Sequence, residues 1–307
     1  MSSLDCSTVQ SPWEPVNSAP SYKDILSVII GTFLLLPLRL VVFFALAISC
    51  SCAMRINGLE RHIKSPNRTK LIERNKSIIS FHLRLILWSL GFSGITVEGE
   101  YKGKTEARAY VSNHSSWIDC FVLAVFIYPS YIAKAEVQRI PLVGHALKAW
   151  LCLAIDRGSI SDRQRIKQQV VQRMSDATLP PLVVFPEGCT NNGCFLTKFQ
   201  TGPFGGDPIQ PIIIKYGGKF LPIGEGTPMW YSLFRMMVQF KSSVNVTFLP
   251  VYHPYGEELQ DSRLLATNVR RYMARIGSLK ISDQGFKEKC IWNEYNRGIK
   301  LVSKIKD

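Results

Sequence analysis

The sequence predicts an α/β fold: a mixed, mostly parallel sheet flanked by helices, preceded by an N-terminal membrane-embedded helical segment. Two observations carry that prediction. Between residues 93 and 280, short runs of apolar and β-branched residues alternate with stretches of helical periodicity, the pattern of a sheet covered by helices. Ahead of them, residues 25–54 form an almost unbroken apolar run, which as one helix would extend about 43 Å against a hydrocarbon core of about 30 Å.

Taken in order, residues 1–24 are polar, contain Ser and Pro and lack a cationic leader, so they read as a mobile tail and not as a signal peptide. Within the apolar run, Pro37 removes a helix hydrogen bond and Arg39 is costly in lipid, which favours a kinked or re-entrant hairpin over a straight span. Arg55, Arg61, Lys64, Arg68, Lys70, Arg74 and Lys76 follow, a basic stretch that belongs on the cytosolic side. Residues 78–92 are apolar but short and carry His82 and Arg84, so they read as a helix lying in the interface. Residues 25–92 together make the membrane anchor.

Strands are expected at 95–98, 109–112, 131–133, 151–155, 182–185, 211–215 and 244–251, each apolar and bounded by turn residues. The best-defined helix is 161–174, where Ser161 and Gln164 form a capping box and Ile166, Val170 and Met174 recur every four residues. Residues 281–307 carry only weak structure signals and stand apart as a C-terminal extension.

Lys and Arg number 37 against 23 Asp and Glu, a net charge of +14 that calls for an anionic partner. The apolar segment, and the lack of a basic stretch interleaved with aromatics, point to membrane lipid and phosphorylated ligands and away from nucleic acid. None of the eight cysteines forms a C-x-x-C pair, and several lie inside apolar runs, so they read as buried free thiols in a reducing, cytosol-facing compartment. Asn67, Asn113 and Asn245 open N-x-S/T sequons, expected to be unmodified.

Three strand ends carry chemistry. Strand 109–112 runs into Asn113-His114-Ser115-Ser116-Trp117-Ile118-Asp119. On a regular helix His114 and Asp119 would lie about 140° apart, so they meet only if the chain turns first. With His114 in the loop and Asp119 in the first helical turn, the carboxylate orients one ring nitrogen and leaves the other free to accept a proton. Strand 182–185 ends in Pro186-Glu187-Gly188, placing a carboxylate and a flexible glycine where α/β folds put ligands. Asn191, Asn192, Gly193 and Lys198 extend that loop with donors for a phosphate or a carbonyl. Strand 151–155 ends in Asp156-Arg157-Gly158, where Arg157 suits bidentate phosphate binding ahead of a helix N-terminus.

His114 to Asp119 resembles the first motif of the glycerolipid acyltransferase family, Ile155-Asp156-Arg157 the second, Phe185 to Thr190 the third and Pro208-Ile209-Gln210-Pro211-Ile212 the fourth. Lys198-Phe199-Gln200-Thr201-Gly202-Pro203-Phe204, and Leu249-Pro250-Val251-Tyr252 with Asn268-Val269-Arg270-Arg271, resemble the lysophosphatidylcholine and lysophosphatidylethanolamine acyltransferase branch in particular. The match covers about residues 95–275, and four ordered motifs form a strong signal where one alone is weak.

The resemblance implies that 93–280 is an acyltransferase domain. It implies that His114 is the general base and Asp119 its partner, with Arg157, Glu187 and Gly188, joined by Lys198 and Asn113, as the substrate-binding set. It also implies an acyl-CoA-dependent O-acyltransferase acting on a lysophospholipid at the bilayer, with acyl-CoA as co-substrate, no permanently bound cofactor and no metal. Glycerol-3-phosphate or lysophosphatidic acid as acceptor, and an inactive lipid-binding relative, are the alternatives. The implied location is the endoplasmic reticulum membrane with the catalytic domain facing the cytosol. Cys189 stands where the family more often has Thr or Ser, and Pro203 where Ala is usual, which bears on acceptor preference more than on activity.

Overall fold

The computed structural model describes residues 6–16, 21–56, 68–140, 144, 147, 148, 150–156, 160–176, 178–219, 221, 222 and 228–296. The apolar run forms one helix, α1 (Tyr22–Ile56), continuous through Pro37, so the hairpin expected within residues 25–54 does not form. Arg39 is the reason a long helix is tolerated there: its Nη1 donates to the carbonyls of Met237 (2.7 Å) and Gln239 (2.6 Å), so the charge stays off lipid without a reversal of the chain. Helix α2 (Arg68–Ser89) starts well before the stretch expected to be interfacial. Ile79, Leu83, Ile86, Leu87 and Leu90, spaced three and four apart, are buried in the protein core. Only the opposite face, with Phe81 and Trp88, is left outside.

The remaining chain supplies β1 (Phe92–Glu98), β2 (Ala109–Ser112), α3 (Asp119–Phe126), β3 (Ile132–Lys134), β4 (Leu153–Ile155), α4 (Ile160–Ser175), β5 (Val183–Val184), β6 (Phe195–Leu196), β7 (Ile209–Gly217), α5 (Met229–Val238), β8 (Ser242–Phe248), α6 (Ser262–Gly277), β9 (Lys280–Ile281) and α7 (Phe286–Asn296). The main sheet has the order β1-β8-β7-β2-β5 and is parallel except between β7 and β8. β3 pairs with β4, and β6 with β9, in two small parallel sheets of their own.

Alternation along the strands divides the core. Ile212, Ile214 and Tyr216 of β7 join Tyr110 of β2 in a cluster with α2, α3 and α5. Ile209 and Ile213 join Ala109 and Val111 in a second cluster against α4 and α6. Both faces of the sheet are thereby covered, which is why β2 and β7 read as nearly continuous apolar runs.

Residues 6–16 are not a mobile tail. Cys6 is disulfide-bonded to Cys194, and Trp13 and Val9 are buried. The buried Asn192 holds the segment through its side-chain amide, which donates to the carbonyls of Ser11 (2.8 Å) and Glu14 (3.0 Å). Lys280 Nζ donates to the carbonyls of Cys6 and Val9. The reading of all eight cysteines as free thiols is corrected for this pair. Its partners lie 188 residues apart, so no spacing rule could have joined them. A persistent disulfide also belongs to an oxidising compartment, against the reducing one expected. Denatured without reductant, the full chain is expected to take up alkyl groups on the remaining six cysteines, and on all eight after reduction; mass spectrometry of the alkylated protein reads the difference.

Candidate active site

The loop between β2 and α3 is shaped by one buried carboxylate. Asp119 is the first residue of α3 and is fully buried. Its Oδ2 accepts from His114 Nδ1 (2.8 Å) and from the backbone N–H groups of Ser115 (2.8 Å) and Ser116 (2.9 Å). Its Oδ1 accepts from the Tyr216 hydroxyl on β7. A buried carboxylate is stable only when its lone pairs are met in this way, and here meeting them bends the chain so that His114 and Asp119 touch. Burial, with the neighbouring carboxylate second, pushes the Tyr216 phenol well above its ordinary range, so it stays protonated and remains a donor.

His114 is held by its backbone as well. Its N–H donates to Glu187 Oε1 (2.9 Å), and its carbonyl accepts from Asn191 N–H (3.0 Å). Its ring stacks on Phe185 at 4.1 Å between centroids, and Phe185 stacks on Tyr131. The His114 side chain remains 20% exposed, and among the described residues its Nε2 has no hydrogen-bond partner. With Nδ1 engaged by Asp119, Nε2 is the ring nitrogen left to accept a proton.

A family model described as Acyltransferase matches residues 94–253, just over half of the chain. The chain belongs to the acyltransferase family. It is 35% identical over 193 residues, 60% of its own length, to the lysophospholipid acyltransferase LPEAT1 of Arabidopsis thaliana. To lysophosphatidylcholine acyltransferase 1 of Homo sapiens it is 30% identical over 268 residues, 84% of its length. The chain spans about half the length of these relatives, 48% and 49% respectively. Its fold is also that of the crystallised 1-acyl-sn-glycerophosphate acyltransferase PlsC of Thermotoga maritima, at a TM-score of 0.53 and 17% identity, covering 85% of this chain and 98% of that one.

The structure brings together some of the sequence-predicted residues and separates others. His114, Asp119 and Glu187 converge, but Glu187 is fully buried and faces the protein. Its Oε2 accepts from Asn191 Nδ2 (2.5 Å), Thr197 N (2.8 Å) and Thr197 Oγ1 (2.8 Å), so all its capacity goes to bracing the His114 loop. Gly188 takes φ +70°, the left-handed conformation that lets β5 turn into that brace. Asn113 is buried, and its side-chain amide both donates to Ile214 O (2.9 Å) and accepts from Ile214 N (2.7 Å), extending the β2–β7 ladder in place of meeting a ligand. Asn192 is spent on the N-terminal segment.

Lys198 is exposed and lies beside Asp283 and Glu288, whose carboxyls it helps to hold down. Arg157 and Gly158 lie outside the described residues. The sequence reading missed Tyr216 and Thr197 as supports of the site, and it offered Asn191 as a ligand donor where its amide donates to Glu187. Tyr216 shares an alternating face with Ile212 and Ile214 and reads as core; only the sheet order, which sets β7 beside β2, turns its hydroxyl toward Asp119.

Burial raises the Glu187 carboxyl from 4.5 to about 7, against the pull of the donors from Thr197 and His114. The folded chain therefore keeps a proton that the unfolded chain releases, and the stability tied to it is full below about 4.5 and is lost as pH rises through about 7. From about pH 5 to about pH 8 the thermal midpoint of the wild type is expected to fall more steeply than that of Glu187→Gln, which cannot titrate. The same variant brings an amide donor into a site populated by donors, at a cost of about 1–3 kcal/mol.

Tyr216→Phe leaves one Asp119 oxygen unmet. It is expected to lower kcat for acyl transfer about ten- to a hundredfold with KM little changed, measured by steady-state kinetics.

Proposed function

We propose that this acyltransferase moves an acyl group from acyl-CoA to the free hydroxyl of a lysophospholipid, with lysophosphatidylcholine or lysophosphatidylethanolamine as acceptor. The observation that carries the reading is the His114–Asp119 pair, with Nδ1 held at 2.8 Å in a side chain that stays 20% exposed. Names of relatives such as lysophosphatidylcholine acyltransferase 1 support the acceptor class.

In this mechanism His114 Nε2 takes the proton from the acceptor hydroxyl as that oxygen bonds to the thioester carbonyl carbon. The imidazolium forms against the Asp119 carboxylate, which stabilises it. Collapse of the tetrahedral intermediate breaks the carbon–sulfur bond, and the departing thiolate takes the proton back, giving a diacyl phospholipid and CoA. General-base catalysis contributes about 10²- to 10⁴-fold, and orientation of the two substrates contributes most of the remainder. No permanently bound cofactor takes part in these steps. His114, Asp119 and the Glu187-braced loop act on the reacting groups, and Arg157 and Lys198 serve the substrate phosphates.

The reaction belongs at a membrane, because the acceptor and the product carry fatty chains. Residues 22–89 supply the apolar helix and the packed helix behind it that would seat the domain there. We place the enzyme on the endoplasmic reticulum. The basic residues after α1 favour its cytosolic side and the Cys6–Cys194 disulfide favours the lumenal side; protease protection in sealed microsomes decides between the two.

The full chain in lipid-detergent micelles is expected to release CoA thiol from acyl-CoA when lysophosphatidylcholine or lysophosphatidylethanolamine is present. Little release is expected with glycerol-3-phosphate or lysophosphatidic acid. His114→Ala is expected to lower that rate by at least about 10²-fold while the circular dichroism spectrum stays unchanged. Near-normal turnover in the variant rejects His114 as the base, and release with lysophosphatidic acid alone reassigns the acceptor.

A further inference from the structure

We propose that α5 is an additional membrane-docking element that inserts its first turn into the headgroup boundary of the bilayer. The proposal rests on the membrane reading given above and extends it to a part of the catalytic domain.

The helix is divided along its length. Met236, Met237 and Val238 are fully buried, while Met229, Trp230 and Tyr231 at its start are 64%, 70% and 40% exposed. The aromatic rings of that first turn contact one another and Phe234, and Arg235 lies over Tyr231. A cluster of large apolar side chains at a helix start is not expected on a surface facing only water.

The buried half says what covers the exposed half. It is clamped to α1, the helix long and apolar enough to cross a membrane. Gly31 of α1 lies so close to α5 that a Cβ there would come within 1.9 Å of the Val238 carbonyl oxygen. Arg39 donates to the carbonyls at the C-terminal end of α5, a favourable place for a cation. The outer face of α1 exposes Phe33 at 82%, Leu34 at 63%, Leu38 at 61% and Val41 at 70%. The exposed first turn of α5 and the exposed face of α1 thus belong to two helices packed on each other.

Trp and Tyr are the residues that prefer the headgroup level, with the ring in the chains and the polar atom in the wet layer. Lys23 near the start of α1 and Lys241 just after α5 are exposed, cations suited to lipid phosphates. Ser116, two residues from His114, donates through Oγ to the carbonyl of Pro222 (2.8 Å), which precedes α5 in the chain.

The test uses the full chain in phosphatidylcholine vesicles whose acyl chains carry bromine, comparing the wild type with Trp230→Phe. The wild type is expected to lose a component of tryptophan emission that the variant lacks, most strongly with bromines near the headgroup. Equal quenching of both proteins overturns the proposal. So does a concentration-dependent doubling of mass that Trp230→Asp abolishes, which assigns the face to a second copy of the chain.

Met229→Asp combined with Trp230→Asp is expected to lower turnover of lysolipid embedded in vesicles at least about tenfold, with turnover in detergent micelles within about twofold of the wild type. An equal loss in both media overturns the docking role. Because quenching is read without any turnover, failure of the acyltransferase reading and failure of this one give different results.

Discussion

Burial of the Asp119 carboxylate is the constraint on which the site depends. An unpaired charge at a fully buried position costs several kcal/mol, so the surrounding chain is arranged to bring donors to it. Two of those donors are the backbone N–H groups of Ser115 and Ser116, and meeting them forces the turn that separates β2 from α3. His114 sits at the start of that turn, with Nδ1 aimed at the same carboxylate oxygen. The placement of the His114 ring is therefore a by-product of meeting a buried acid with donors.

A second buried carboxylate does for the backbone what the first does for the ring. Glu187 gathers the His114 N–H, the Asn191 amide and both donors of Thr197, tying the end of β2 to the loop after β5. That loop is in turn covered by residues 6–16, through Asn192 and the Cys6–Cys194 bond. Lys289 adds a further tie, donating to the Thr190 carbonyl (2.7 Å) and lying over the Trp13 ring. The N-terminal segment, the catalytic loop and α7 thus form one connected layer around the histidine. Order of this kind is what general-base catalysis requires, because a ring displaced by even an ångström loses much of its effect.

A cation organises the packing of α1 against α5. Arg39 lies in the middle of the apolar helix α1, and its guanidinium is met by the carbonyls that α5 leaves unpaired at its C-terminal end. One contact removes two liabilities, a charge beside lipid and an uncapped helix end. It also fixes α1 to the end of α5.

The sequence by itself determined the α/β class, the strands at both edges of the active loop, the long apolar helix and the pairing of His114 with Asp119. Those features rest on local signals: alternation, apolar run length and a five-residue spacing that only a turn can close. It also named Glu187 as important while assigning it outward, because a carboxylate after a strand looks the same whether it meets solvent or backbone. What only the tertiary structure decided were interactions between distant segments. Tyr216 reaches Asp119 because β7 neighbours β2, Asn113 completes that same ladder, Trp13 and Cys6 fold back onto the loop at Cys194, and Arg39 finds the end of α5. In each case the partner lies about a hundred or more residues away, and hydrogen-bond satisfaction at such separations leaves no period or spacing in the chain to be read.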